Sequence, residues 1–147
     1  MRNFRPTLRV LIVEDHDDSR EMLEHLLSAH GHAVVAAASC GQAREAAARQ
    51  PFDMVICDIA LPDGDGVELM RALRRDYLMT TIALSALTQA QDVARCEKAG
   101  VHAFLPKPIR IEELIRTITQ FMIPPDVRAP RGPLYMPTAM ETPAQPL

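Results

Sequence analysis

Three apolar runs in this chain end on charged residues. Val10-Leu11-Ile12-Val13 runs into Glu14-Asp15, Met54-Val55-Ile56-Cys57 into Asp58, and Ala103-Phe104-Leu105-Pro106 into Lys107. A fourth apolar segment, from Thr81, closes on the hydroxyl of Ser85. Carboxylates of this kind hold hard cations or act as nucleophiles toward phosphorus, and an ammonium with a hydroxyl complements a phosphoryl group. For that chemistry the four segment ends must converge, which they do if the segments are parallel strands.

The elements needed to position them follow in order. Leu8 to Val13 is short, apolar and β-branched, the pattern of a strand buried on both faces. Asp17 or Asp18 can cap the next helix, whose Met22, Leu23, Leu26 and Leu27 fall at helical spacing before a stop at Gly31. A weak strand at 33–37, a helix at 41–49 closed by Pro51, and a strong strand at 53–57 come next. After the turn-rich Leu61-Pro62-Asp63-Gly64-Asp65-Gly66, Val67, Leu69, Met70 and Leu73 mark a third helix. The remaining units are a strand near 81–85, a helix at 89–99 ending at Gly100, a fifth strand at 101–105 and a fifth helix at 112–122. Five alternating units imply a parallel sheet covered on both faces. From Pro124 onward seven of 24 residues are proline and apolar periodicity ceases, so a mobile tail is expected.

Composition narrows the function classes. With 147 residues the chain has the size of about one domain, and 48% apolar with 24% charged residues describes an ordinary globular protein. A net charge of −3 and a pI near 5.9, without clustered Lys or Arg, argue against direct nucleic-acid binding. No apolar run is long enough to span a bilayer, and no apolar stretch follows the basic Met1-Arg2-Asn3-Phe4-Arg5, so membrane association is not expected and a cytoplasmic location is. Cys40, Cys57 and Cys96 lack CxxC spacing and read as small hydrophobes in a reducing compartment.

In an open α/β sheet, ligands bind beyond the carboxyl ends of the strands where strand order reverses. With the order 2-1-3-4-5 that point lies between strands 1 and 3, where Glu14, Asp15 and Asp58 meet. Carboxylates so close repel unless a cation intervenes. Oxygen-only ligands at a site open to solvent suit Mg²⁺ better than Ca²⁺, since the remaining positions of an EF-hand around Asp63-Gly64-Asp65-Gly66 are missing. Those residues read as turn and helix-cap chemistry. Asp58, central among the charged groups, is the natural phosphoryl acceptor, with Lys107 and Ser85 opposite it.

Val-Glu-Asp at 13–15, Asp58 followed by Leu61-Pro62-Asp63-Gly64-Asp65-Gly66, Ser85-Ala86 and Lys107-Pro108 together resemble the receiver domain of two-component response regulators. The resemblance covers roughly Leu8 to Met122. It implies a flavodoxin-like, doubly wound α/β fold with five parallel strands and five helices, and Asp58 as phospho-acceptor. It further implies Mg²⁺ held by Glu14, Asp15, Asp58 and the backbone carbonyl of Ala60, and a cis Lys107-Pro108 bond. Ser85 and Phe104 would form the switch pair, the ring moving as the hydroxyl follows the phosphoryl group. Glu14 stands where Asp is commoner, Ser85 where Thr is frequent and Phe104 where Tyr is frequent, and none of these changes removes a chemical role. The expected limits are an arm over 1–7, a receiver domain over 8–123 and a Pro-rich disordered tail over 124–147.

Taken singly, each of these residues has an ordinary structural explanation as a cap, a turn residue or a solvated charge. Their joint occurrence at four of five strand ends is what reverses the reading. His25, His30 and His32 carry no metal-like pairing, and His102 lacks supporting context, while His16 lies near the pocket and is placed to influence access. The expected function is a phosphorylation switch. A histidine kinase or phosphotransfer protein donates to Asp58, and the surface of helix 4, strand 5 and helix 5 changes to control a downstream protein. The chain assists its own phosphorylation and dephosphorylation without being a dedicated enzyme. Two alternatives stand beside this: a receiver module excised from a hybrid histidine kinase or larger regulator, and an aspartyl-phosphate phosphatase. The phosphatase would need an acid two residues after the nucleophile, where Ala60 stands. A nucleotide or flavin carrier is disfavoured because the acidic, glycine-free loop Glu14-Asp15-His16-Asp17-Asp18 would repel phosphate.

Overall fold

The computed structural model describes residues 7–86, 90–122 and 134–136. Its elements run β1 (Arg9–Val13), α1 (Asp17–Ala29), β2 (Ala33–Ala37), α2 (Cys40–Arg49), β3 (Met54–Asp58), β4 (Ala60–Leu61), β5 (Gly64–Asp65), α3 (Gly66–Tyr77), β6 (Thr80–Ser85), α4 (Ala90–Ala99), β7 (Ala103–Pro106) and α5 (Ile111–Gln120). Five strands form one parallel sheet in the order β2-β1-β3-β6-β7, the 2-1-3-4-5 order expected. The antiparallel β4–β5 ribbon is an addition within the stretch read as a turn, and it pairs Ala60 with Asp65.

The near-continuous apolar runs are explained by burial on both sides. Val10 and Ile12 of β1 point into one cluster with Leu23 and Leu27 of α1 and Leu114 and Ile118 of α5. Leu11 and Val13 point into the other, with Ala43 and Ala47 of α2, Leu69, Met70 and Leu73 of α3, and Cys96 of α4. Each such side chain contributes roughly 1.5–3 kcal/mol on leaving water. The weakness of β2 in the sequence has a physical reason: it is an edge strand, and Val34, Val35 and Ala36 are only half-buried.

Helix ends follow local chemistry with one correction. Asp17 and Asp18 do not cap α1; His16 occupies the N-cap without a side-chain bond, and the two aspartates sit in the first turn, where they complement the helix dipole. Ser39 caps α2 by accepting from the Gln42 N–H, and Asp65 caps α3 by accepting from the Val67 N–H. Helices α1 and α4 stop as expected at Gly31 and Gly100, where His32 N–H donates to Leu27 O and Val101 N–H to Cys96 O.

Three residues of the stretch expected as a tail fall within the described residues. Leu134, Tyr135 and Met136 lie against the sheet, with Tyr135 in a parallel bridge to Ala103. Sequence periodicity could not reveal this, because a single bridge on a sheet edge needs only three residues. The rest of the tail and residues 1–6 lie outside the described residues. Among the described residues no helix is long and apolar enough to cross a membrane.

Two outcomes follow from this packing. Gly66 sits so close to the chain after Asp58 that an added Cβ would lie 2.1 Å from the Asp58 carbonyl oxygen and 2.8 Å from the Ile59 Cα. Gly66→Ala is therefore expected to lower stability by about 1–3 kcal/mol or more in urea denaturation. All three thiols are buried: burial pushes Cys40 up, Cys57 well up, and Cys96 to about 11. Near neutral pH none is expected to react promptly with a disulfide reagent in the native chain, and all three should react once it is unfolded.

Candidate functional site

Parallel pairing of β1 with β3 sets Val13 beside Cys57, so the residues that follow, Glu14 and Asp58, leave the sheet side by side. Both are almost fully withdrawn from solvent, at 0% and 6% exposure. β6 lies on the other side of β3, and β7 beyond it, with Ser85 paired to Pro106. The Lys107 N–H donates to the Ser85 carbonyl at 2.8 Å, which fixes the start of the Lys107 side chain. The Lys107-Pro108 peptide is cis, as the resemblance implied.

The Lys107 Nζ lies 2.7 Å from Glu14 Oε1 and 2.7 Å from Asp58 Oδ2. Burial, the strongest single influence on this ammonium, favours losing the proton. Hydrogen bonds from Asp58 and Glu14 and their charges together outweigh it, so its pKa sits above the ordinary lysine value. A raised pKa means the ammonium's contribution is fully present below the unfolded lysine value and is lost only as pH rises through the folded one, so it is constant across neutral pH.

Asp58 has a second donor. Its Oδ1 accepts from the Ala60 N–H at 3.0 Å, which fixes the carboxylate plane between Ala60 and Lys107. On the far side, Glu14, Asp15, His16 and Asp58 each bring a ligand atom within 4.8 Å of the others. His16 Nδ1 is 3.2 Å from Glu14 Oε2 and 3.6 Å from Asp15 Oδ1. Asp15 Oδ1 is nevertheless a buried oxygen with no hydrogen-bond partner. One ammonium against three carboxylates leaves two formal negative charges at the cluster. An acceptor without a donor and an excess of negative charge are what a hard divalent cation with oxygen ligands would satisfy.

Glu14, Asp15, Asp58 and Lys107 are thus brought together as their spacing in the sequence implied. Ser85 is 2% exposed at the end of the strand between Asp58 and Lys107, and Phe104 is fully buried one strand further out. Ala60 is exposed beside Asp58, with its N–H turned to that carboxylate. Sequence reading missed two supports, Arg20 and Asp63, and placed His16 only near the pocket. Arg20 of α1 donates through Nη1 to the Glu14 carbonyl at 3.0 Å and pairs with Asp17 at 2.6 Å, bracing the acidic loop from behind. His16 enters the acidic cluster itself, and adjacency to Glu14-Asp15 was its only signal. Asp63 accepts from the N–H groups of Cys40 and Gly41 at 2.8 and 3.0 Å, and these two bonds hold its carboxyl below the usual range while tying the loop after Asp58 to α2.

Residues 10–119 match the response regulator receiver domain family. The chain is 35% identical over 126 residues to the response regulator protein PilR of Pseudomonas aeruginosa, covering 83% of this chain and 28% of that protein. It is 30% identical over 122 residues to the sensory/regulatory protein RpfC of Xanthomonas campestris, covering 80% of this chain and 17% of that protein. It therefore spans well under half the length of these curated relatives. An uncharacterized 14.6 kDa protein of Leptolyngbya boryana is 31% identical, with 80% of this chain and 93% of that protein covered. Among solved structures, the chemotaxis response regulator CheY4 of Vibrio cholerae superposes with a TM-score of 0.73 at 27% identity, covering 78% of this chain and 98% of that one. With the parallel 2-1-3-4-5 sheet, the acidic cluster at its carboxyl edge and a family match over most of its length, this chain belongs to the response regulator receiver domains of two-component signalling.

Proposed function

We propose that this chain is a phosphorylation switch that accepts a phosphoryl group on Asp58 from the phosphohistidine of a histidine kinase or phosphotransfer protein. The observation that carries the reading is the setting of Asp58, with one carboxylate oxygen on the Lys107 ammonium, the other on the Ala60 N–H, and the unpartnered Asp15 oxygen alongside. Asp58 attacks phosphorus through a carboxylate oxygen. A P–O bond forms as the P–N bond of the donor breaks, and the electron pair leaves with the imidazole, which takes up a proton. Lys107 then faces the new phosphoryl oxygens from one side, and Ser85 supplies a hydroxyl at the neighbouring strand end.

Glu14, Asp15 and Asp58, with the Ala60 carbonyl, are the groups that would hold Mg²⁺. Bound there, the ion supplies neutralisation of charge on the transferring phosphoryl group. The pair Ser85 and Phe104 is assigned the switch: the hydroxyl drawn toward the phosphoryl group alters the space beside the buried ring and biases two packings of the α4–β7–α5 face toward one. That face would control a downstream protein. The position two residues after Asp58 is Ala60, whose methyl group offers no acid or base for turnover, which favours a carrier over a phosphatase.

Incubation with Mg²⁺ and a small acyl-phosphate donor is expected to add the mass of one phosphoryl group, labile to hydroxylamine. The same treatment of Asp58→Asn should add nothing, and a persisting increase would move the acceptor elsewhere. Lys107→Met leaves Glu14 and Asp58 buried without their cation, so stability without Mg²⁺ is expected to fall by about 3–5 kcal/mol. Part of that loss should return on adding Mg²⁺ in denaturant titrations, and equal losses with and without the ion would count against a cation site between these carboxylates.

A further inference from the structure

We propose that Leu134–Met136 is an added edge strand, a strap that the chain lays in cis on β7 and that occupies the strand-addition site of the α4–β7–α5 face. The last strand of the sheet is β7, and an edge strand presents backbone donors and acceptors that another segment can pair with. Here the Tyr135 N–H donates to the His102 carbonyl at 3.0 Å, and the Phe104 N–H donates to the Tyr135 carbonyl at 2.9 Å, closing a parallel bridge around Ala103. The two bonds flank Ala103, one on the carbonyl of His102 just before β7 and one from the N–H of Phe104 within it. Further along the edge Pro106 has no N–H to offer, so the pairing row is short and three residues cover it.

The side chains agree with the pairing. Tyr135, level with Ala103, packs into the same cluster as Ala103, and its ring meets Phe121 edge-on at 6.1 Å. Phe121 in turn meets His102 at 5.8 Å. Leu134 and Met136 pack against the opposite cluster, the one that contains Phe104 and Cys96 of α4. The strap therefore alternates across the sheet edge as a strand does, touching both cores. Its sequence is suited to this use: Pro133 and Pro137 flank the triplet, a residue before proline favours extended backbone, and neither proline can extend the ladder with an N–H.

The docking stands on these contacts alone. Its consequence for signalling rests on the Asp58 reading: a partner that pairs with the β7 edge of this face must first displace the strap, and the strap holds the backbone N–H of Phe104, the residue assigned to the switch.

Backbone amide hydrogen exchange on the full unphosphorylated chain tests the docking. The Phe104 amide is expected to be protected, and Tyr135→Pro, which removes the donor to His102, should speed its exchange by about tenfold or more. The double variant Leu134→Asp with Met136→Asp, which keeps every N–H but charges the apolar contacts, should do the same. The amides of Leu11 and Val55 in the sheet centre should remain unchanged in both, showing that the core is folded. Unaltered Phe104 exchange in both variants overturns the proposal. So does protection that appears only on raising protein concentration together with a dimer mass, because the strap would then come from a second copy. No phosphorylation is involved in these measurements, so a failure of the strap leaves the Asp58 reading untouched, and an Asp58 that cannot be phosphorylated leaves the strap result intact.

Discussion

Glu14 and Asp58 are drawn out of water beside each other at the carboxyl edge of the sheet, and the Lys107 ammonium 2.7 Å from each is what makes that arrangement tenable. Burying one carboxylate is costly, and burying two in contact more so, unless a cation shares both. Lys107 reaches them only because β6 and β7 are stacked in order next to β3, and because its backbone is pinned to Ser85. The doubly covered sheet is thus the device that delivers charge from widely separated parts of the chain to one point. Neutralisation is incomplete: an excess of negative charge and the unpartnered Asp15 oxygen remain at the cluster.

Around this centre the loops are fastened to the helices rather than left free. Arg20 holds the backbone of the acidic loop from α1. The segment after Asp58 is held by Gly66 pressed against the Asp58 carbonyl, by Asp63 on the N-terminus of α2, and by Asp65, which caps α3 and also pairs with Arg95 of α4. Direct contacts therefore join the loop after Asp58 to α2, α3 and α4. Phe104 and the strap lie on the remaining side, where the sheet ends. The site and the α4–β7–α5 face are consequently parts of one packed body, as a conformational switch requires if a local charge change is to bias a distant surface.

What was legible in the sequence was whatever follows from local order. Apolar runs ending on Glu14-Asp15, Asp58, Ser85 and Lys107 announced both the strands and the polar groups at their ends, and Gly31 and Gly100 marked helix stops, because period, β-branching and glycine act over a few residues. The cap of α1 was misread because aspartate is favoured both at the N-cap and in the first turn, and only the backbone path decides between the two.

The sequence by itself determined the alternating architecture and which charged and hydroxyl side chains, Glu14, Asp15, Asp58, Ser85 and Lys107, stand at the strand ends, since each rests on residue type and spacing along the chain. Tertiary structure alone decided that Arg20 braces Glu14, that Asp63 reaches across to Cys40 and Gly41, that His16 enters the acidic cluster, and that Leu134, Tyr135 and Met136 close the edge of β7. Those contacts join residues whose partners are set by how strands and helices stack in space. A short proline-flanked triplet or a lone arginine carries no periodic signal of where it will land, so its role becomes visible only once the sheet has an edge and the loop has a back.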